Sequence, residues 1–94
     1  MENDIKEILI FHKSKFYSID VDFNSKVIEL KEKIYKFTYL SPNYQKIGVV
    51  SDNNKLEDRQ RFFIISDSDD SKTLYDIGFS YGDRIYVINK NLFN

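Results

Sequence analysis

The chain has 94 residues, which suits one domain. Its formal net charge is −1, so it lacks the excess of basic residues that is typical of a nucleic-acid-binding protein. It contains no cysteine, so disulfides, thiolate metal sites and a cysteine nucleophile are excluded. No apolar run approaches the roughly 20 residues that span a bilayer, and the acidic residues 1–4 are unlike a secretory signal. We therefore expect a cytoplasmic protein without a membrane or nucleic-acid partner.

The first predicted elements form a β-hairpin. Residues 8–11 are a short run of β-branched, aliphatic and aromatic side chains. Residues 16–23 then alternate, with polar side chains between Tyr17, Ile19, Val21 and Phe23. This period of two predicts a half-buried strand, and the short polar link at 12–15 favours an antiparallel pair.

A helix follows the hairpin. One face carries Val27, Leu30, Ile34 and Phe37, at spacings of three, four and three. Asn24 or Ser25 is the expected cap at its start, and Pro42 prevents the helix from continuing. We expect Tyr17, Phe23 and Phe37 all to face the core.

The remaining elements are short. Residues 47–50, 61–65 and 84–88 read as strands, and the acidic residues 66–71 read as a loop. Residues 73–79 suit a single helical turn that Gly78 ends. Because one helix must bury its apolar face against a sheet, the order predicts an α+β fold: a β-grasp mixed sheet crossed by one helix, with an extended segment before the last strand.

Several of these segments resemble the ubiquitin-like family. The segments are Glu29-Leu30-Lys31, residues 41–47, Leu56-Glu57-Asp58, residues 73–76 and residues 82–87, in the family's order and spacing. The resemblance extends from about residue 7 to 90. It implies a single ubiquitin-like domain over residues 1–94, with its core at about 7–90 and an insertion at about 59–72.

The departures from ubiquitin bear on function. The sequence has no diglycine, which a conjugated modifier needs, so we do not expect covalent conjugation. Gly48 stands at the position that matches the centre of ubiquitin's hydrophobic patch, so common ubiquitin receptors would lose an apolar anchor there. Tyr86 and Ile88 alternate with the core-facing residues of the last strand. We hypothesise that Gly48, Tyr86 and Ile88 belong to a protein-binding surface.

The long insertion, the helix at 30–34 and the closing segments at 70–79 and 82–89 resemble the N-terminal ubiquitin-like domain of tubulin-folding cofactor B. That resemblance implies a non-enzymatic chaperone with a CAP-Gly domain further along. Its partner would be α-tubulin or another tubulin cofactor. The alternative is an Elongin B-like scaffold subunit of a ubiquitin-ligase complex, which lacks the insertion, or a stand-alone ubiquitin-like protein that is not conjugated. We expect a monomer in isolation.

Residues that could carry chemistry are few. His12, the single histidine, is expected to be a solvated turn residue, because no motif surrounds it. Asp67, Asp69 and Asp70 do not form a calcium loop, because Lys72 and Gly78 stand where such a loop needs glycine and glutamate. We predict no catalytic, cofactor-binding or metal-binding residue, and no bound cofactor.

The role of the segment at 61–71 stays open on sequence alone. Its apolar residues 62–65 must either pack on the sheet or meet a partner. Phosphorylation of Ser68 or Ser71 in this acidic setting is likewise undecided.

Overall fold

The computed structural model of the chain describes residues 5–50, 62–80 and 82–93. Its helix and strands are β1 (Ile5–His12), β2 (Lys15–Asp22), α1 (Val27–Thr38), β3 (Gln45–Val50), β4 (Phe62–Ile64) and β5 (Arg84–Asn89). Short 3₁₀ turns occupy Pro42–Tyr44, Asp67–Asp69 and Lys90–Phe93. Within the described ranges, no helix has the length and apolar character needed to cross a membrane.

The five strands form one mixed sheet in the order β2-β1-β5-β3-β4. The central pair, β1 and β5, is parallel, and the other three pairs are antiparallel. The single helix α1 buries its apolar residues together with those of the sheet in one core. This arrangement confirms the predicted α+β β-grasp fold. The Leu56-Glu57-Asp58 segment and the first residue of the strand predicted at 61–65 lie outside the described residues.

The hairpin turn between β1 and β2 is tighter than the sequence indicated. It consists of Lys13 and Ser14 alone, and His12 pairs directly with Lys15. Both turn residues have left-handed backbones, with φ of 53° and 68°. Two positive φ values match the type I′ geometry, whose twist suits a two-residue hairpin. The turn forms without the glycine that usually relieves this conformation.

Alternation decides which strand residues enter the core. The buried apolar residues are Ile8, Ile10, Ile19, Val21, Phe23, Val27, Leu30, Ile34, Ile47, Val49, Ile65, Leu74, Phe79, Ile85 and Val87. The prediction that Phe37 faces this core is wrong: its side chain is 38% exposed. Phe37 lies in the last turn of α1, where it stacks on the half-buried Tyr17 with ring centroids 5.3 Å apart.

The start of α1 is held by residues 66–72, which we call the acidic segment, rather than by the predicted caps Asn24 and Ser25. The helix begins at Val27, whose backbone N–H donates to the Lys72 carbonyl at 2.9 Å. The Ile28 N–H donates to the Asp70 carbonyl at 3.1 Å. The first N–H groups of a helix have no partner within the helix, so these two bonds satisfy donors that would otherwise need water or a capping side chain.

A buried lysine fixes the same segment to α1. Lys31 is 2% exposed, and its Nζ lies 2.7 Å from Asp70 Oδ1 and 3.8 Å from Asp67 Oδ1. Asp67 in turn contacts the Nζ of Lys90 at 2.8 Å. An ammonium group is costly to bury unless a carboxylate compensates it, so Lys31 stays in place only while the acidic segment is docked.

We expect Lys31→Met to lower the free energy of unfolding by about 1–3 kcal/mol, because the substitution removes the charge that attracts the segment. The Asp70 side chain is 42% exposed, so its carboxylate can return to water, which limits the loss. Urea unfolding measures the effect. The matched control is Lys36→Met, at an exposed site on the same helix, which we expect to change stability by less than about 0.5 kcal/mol. Equal effects at both sites would contradict the assigned role of Lys31.

The carboxyl groups of the acidic segment should make the free energy of unfolding depend on pH. A hydrogen bond from Lys90 holds the pKa of Asp67 below its ordinary value of 3.8, and one from Lys72 does the same for Asp69. A carboxyl group whose pKa is lower in the folded state than in the unfolded state stabilises the fold. This contribution is complete at pH values above the unfolded-state pKa, and it is lost as the pH drops through the folded-state pKa. We therefore expect the free energy of unfolding to decline below about pH 4.

Urea unfolding of the wild type and of Asp67→Asn, at neutral pH and near pH 3, measures this loss. The variant should lose less stability on acidification than the wild type does. The difference is expected to be small, because the Asp67 side chain is 70% exposed and water screens its ion pairs. Identical acid dependence in the two proteins would show that Asp67 makes no contribution.

Candidate protein-binding surface

The sheet face opposite α1 carries a row of apolar side chains that crosses all five strands. Pairing aligns Phe16 with Phe11, Phe11 with Tyr86, Tyr86 with Gly48, and Gly48 with Ile64. Within each strand these residues alternate with core residues, so they share the outer face. Two of the three residues predicted for the site, Gly48 and Tyr86, are therefore direct cross-strand neighbours.

Aromatic rings fill most of this row. Phe11 stacks on Tyr86 with ring centroids 4.8 Å apart and planes 15° apart, and it contacts Phe16 at 5.0 Å. Phe16 is 63% exposed and Tyr86 is 37% exposed. Cross-strand aromatic contacts of this kind stabilise a sheet, yet they leave the outer sides of these rings in water.

Gly48 itself is buried, because Phe62 covers it. A Cβ atom at Gly48 would lie 2.9 Å from Phe62 Cε1 and 3.2 Å from Phe62 Cζ. The Phe62 ring thus occupies the space above the glycine and is itself 61% exposed. At this point the surface is formed by Phe62, an exposed apolar side chain of the neighbouring strand.

We call Phe11, Phe16, Tyr86 and Phe62 the aromatic face. Ile64 and Ile88 extend it, at 47% and 38% exposure. Sequence reasoning found Tyr86 and Ile88, left Ile64 between packing on the sheet and meeting a partner, and missed Phe11 and Phe16 as surface residues. The outward position of Phe11 was available from its alternation with Ile10, whereas its alignment with Tyr86 depends on the β1–β5 register. The sequence left open whether Phe62 packs on the sheet or meets a partner, and the β3–β4 register places it on the outer face.

The strand run at 62–65 divides its side chains between the two faces. Phe63 is partly buried against the core and Ile65 is 6% exposed, whereas Phe62 and Ile64 are exposed. This division answers the question that the sequence left open: part of the run packs on the sheet and part remains available to a partner.

The expectation that His12 is a solvated turn residue is wrong. His12 is the last residue of β1, is 7% exposed, and places Nδ1 2.9 Å from the Val87 carbonyl oxygen. The turn begins one residue later than expected, so His12 keeps the inward direction of Ile8 and Ile10. It serves as a link between the two central strands.

The described residues hold no group of three histidine, cysteine, aspartate or glutamate side chains arranged to bind a metal ion. Asp67 and Asp69 each contact a lysine amine instead. At these distances the two carboxylates form ion pairs with lysines of the same chain. Asp67 thereby links the segment at 66–72 to Lys31 and Lys90, whereas the Asp69–Lys72 pair lies within that segment.

Comparison with known proteins identifies the family. Residues 7–94 match the family model of the ubiquitin-like domain, so the chain belongs to that family. No curated protein matches it in sequence. The ubiquitin-like domain of tubulin-binding cofactor B superimposes with a TM-score of 0.75 at 16% identity, covering 99% of this chain and 98% of that one.

Two other tubulin factors share the fold. Tubulin-binding cofactor B of Trypanosoma brucei gives a TM-score of 0.69 at 11% identity, over 90% of this chain and 94% of that one. The C-terminal ubiquitin-like domain of mouse tubulin-specific chaperone e gives 0.68 at 12% identity, over 93% and 88%. At these identities the likeness shows a common fold.

The contact between Gly48 and Phe62 predicts coupled substitutions. Gly48→Ala forces the Phe62 ring aside, and we expect the free energy of unfolding to fall by about 1 kcal/mol. In a Phe62→Ala background the clash is absent, so the same substitution should be neutral or stabilising, because alanine is better tolerated than glycine within a strand.

Urea unfolding of the wild type, both single variants and the double variant gives the coupling free energy, which we expect to be about 1 kcal/mol. Additive effects would show that the ring does not rest on Gly48. Shifted NMR signals of the Phe62 ring in Gly48→Ala provide a second readout.

Proposed function

We propose that this chain is a non-enzymatic protein-interaction domain that acts in a cytoplasmic tubulin-folding cofactor B-like chaperone and helps to handle α-tubulin. The exposed aromatic face carries the proposal. Large rings that remain open to water on one side of a sheet are the side chains that most often contribute strongly to protein–protein binding, at about 2 kcal/mol or more for a central residue.

The shape of the surface suits a protein partner. The aromatic face crosses the sheet as an open row, and Ile64 and Ile88 add apolar area at its margins. A single exposed apolar residue needs no explanation, but a contiguous group of this kind marks an interaction site. We infer that Tyr86, at the centre of the row, is the principal anchor, with Phe62 covering Gly48 and Ile88 beside it.

The non-enzymatic role is supported by how the polar groups are used. His12, the one histidine, is buried against the Val87 carbonyl. Asp69 and Asp70 lie against Lys72 and Lys31 respectively. These three residues therefore help to hold the fold, whereas the rings of the outer face keep part of their surface open to water.

The tubulin assignment is supported by two observations of different kinds. The closing segment at 82–89 resembles tubulin-folding cofactor B in sequence. The compared structures include ubiquitin-like domains of cofactor B and of tubulin-specific chaperone e. Because one fold serves many functions, the choice of α-tubulin remains the part of the proposal that experiment must decide.

We expect Tyr86→Ala to weaken binding to purified tubulin about tenfold or more, because it removes the central ring of the aromatic face. Ile88→Ala, at the margin, should weaken binding about threefold. Isothermal titration calorimetry measures both affinities, and thermal unfolding confirms that each variant is folded.

The matched control is Tyr35→Ala, which removes a ring of similar exposure, 46%, from the helix. It should leave the affinity unchanged. If folded Tyr86→Ala and Ile88→Ala bind as the wild type does, the outer sheet face is not the interface. If the wild type does not bind tubulin, the partner is wrong even though the surface remains a candidate.

A further inference from the structure

The sheet has an open edge at β2, the strand that borders α1. Among the described strands β2 pairs with β1 alone, so one row of its backbone groups has no strand partner. Lys15 closes the two-residue turn, so its backbone groups face β1, and those of every second residue after it do as well. The N–H and C=O groups of Phe16, Ser18 and Asp20 therefore point away from β1.

The Asp20 carbonyl supports this direction and also limits the open stretch. It accepts a hydrogen bond from the Lys33 Nζ at 3.2 Å, so a side chain of α1 crosses the strand edge at that point. The Asp20 side chain alternates with Ile19 and projects toward the outer face. The open backbone groups therefore lie at Phe16 and Ser18, in the first half of β2. An exposed strand edge is a template on which an extended segment can add a further strand.

A cavity of about 290 Å³ lies beside this stretch, between β2 and α1. It is lined by Ser18, Ile19, Asp20, Lys33, Lys36 and Phe37. Its apolar lining is the buried Ile19 and the half-exposed Phe37, whose ring is held by its stack on Tyr17. Sites for drug-sized ligands measure roughly 300–1,000 Å³, so this cavity suits a side chain of a peptide better than a whole small molecule.

The groove that contains this cavity has opposite charges at its two ends. Lys15 begins β2 and Lys36 lies in the last turn of α1, and both are exposed. Neither ammonium group forms an ion pair or hydrogen bond in the described part of the chain. Asp22 and Glu29 line the other end. Lys33 lies between the two ends and is already bonded to the strand.

We propose that the groove between β2 and α1 is a second docking site, for an extended peptide segment of a partner protein that adds a strand to the first half of β2. An apolar side chain of the segment enters the cavity against Ile19 and Phe37. Carboxylates at one end of the segment pair with Lys15 and Lys36. This site goes beyond the proposed role of the aromatic face, and it does not require tubulin as the partner.

A second copy of the chain is the other occupant that could add a strand to β2. Antiparallel pairing of two β2 strands about Ser18 would set Phe16 of each copy against Asp20 of the other. The Asp20 carbonyl already accepts from Lys33, so two lysine side chains would have to leave the edge. A short peptide can end before Asp20 and meets no such obstacle, which favours a peptide segment over a second copy.

Three synthetic peptides test the proposal. They share a centre in which valine and leucine alternate with threonine, and they carry glutamates after the centre, glutamates before it, or glutamines on both sides. NMR titration of the labelled protein should show one glutamate peptide binding about threefold or more tighter than the glutamine peptide. That peptide is the one whose direction brings its carboxylates to Lys36. Its chemical-shift changes should centre on residues 15–20 and 33–37.

Two substitutions separate the parts of the site. Lys36→Glu should abolish the preference for glutamate, because it replaces an unpaired cation by a carboxylate. The control Lys72→Glu makes the same change of charge in the acidic segment and should preserve the preference. Ser18→Pro removes the N–H that bonds the added strand and should weaken all three peptides about fivefold or more. Ser18→Ala keeps that N–H and should bind as the wild type does.

Thermal unfolding checks that each variant is folded, and Lys36→Glu decides the question alone if Ser18→Pro does not fold. The proposal is overturned if the three peptides bind equally or not detectably, if Lys36→Glu keeps the preference, or if the shifts map to the aromatic face. Self-association through β2 at high protein concentration would also overturn it. None of these results bears on tubulin binding, which Tyr86→Ala tests at the other surface.

Discussion

The pairing of Lys31 with Asp70 is the constraint on which the second half of the structure depends. The buried ammonium group requires a carboxylate, and the segment that supplies it also caps the first turn of α1 through the carbonyl groups of Asp70 and Lys72. The same segment follows directly from Ile65, whose N–H donates to the Ile47 carbonyl at 3.0 Å. One ion pair thus joins the helix to the segment that follows the strand carrying Phe62.

The aromatic face is a consequence of how the β-grasp fold distributes its apolar residues. Among the described residues, one helix packs on one side of the five strands, and no second helix packs on the outward residues of the central strands. Phe11 and Tyr86 partly bury each other by stacking, which stabilises the parallel pair while leaving ring surface exposed. Stability and recognition therefore use the same side chains, and a substitution there must be assessed for both effects.

Much of this fold could be predicted from local patterns, because alternation and helical spacing follow from how each element buries one face. Tyr86 and Ile88 were placed correctly on the outer face for that reason. His12 was misplaced because the turn's exact position depends on left-handed conformations at Lys13 and Ser14, which no glycine announces. The cover over Gly48 could not be predicted either. It requires the register between β3 and β4, which is fixed by long-range contacts beyond the local sequence.

The parallel pairing of β1 with β5 also bears on how the chain folds as it is synthesised. The contact between His12 and Val87 joins residues 75 positions apart, and the central pair of the sheet cannot form until β5 has emerged from the ribosome. Until then, any hairpin that β1 and β2 form leaves Ile8 and Ile10 uncovered by their final neighbours. Such non-local topologies fold slowly and expose apolar surface on the way. A nascent chain of this kind depends on its last strand to complete the centre of its sheet.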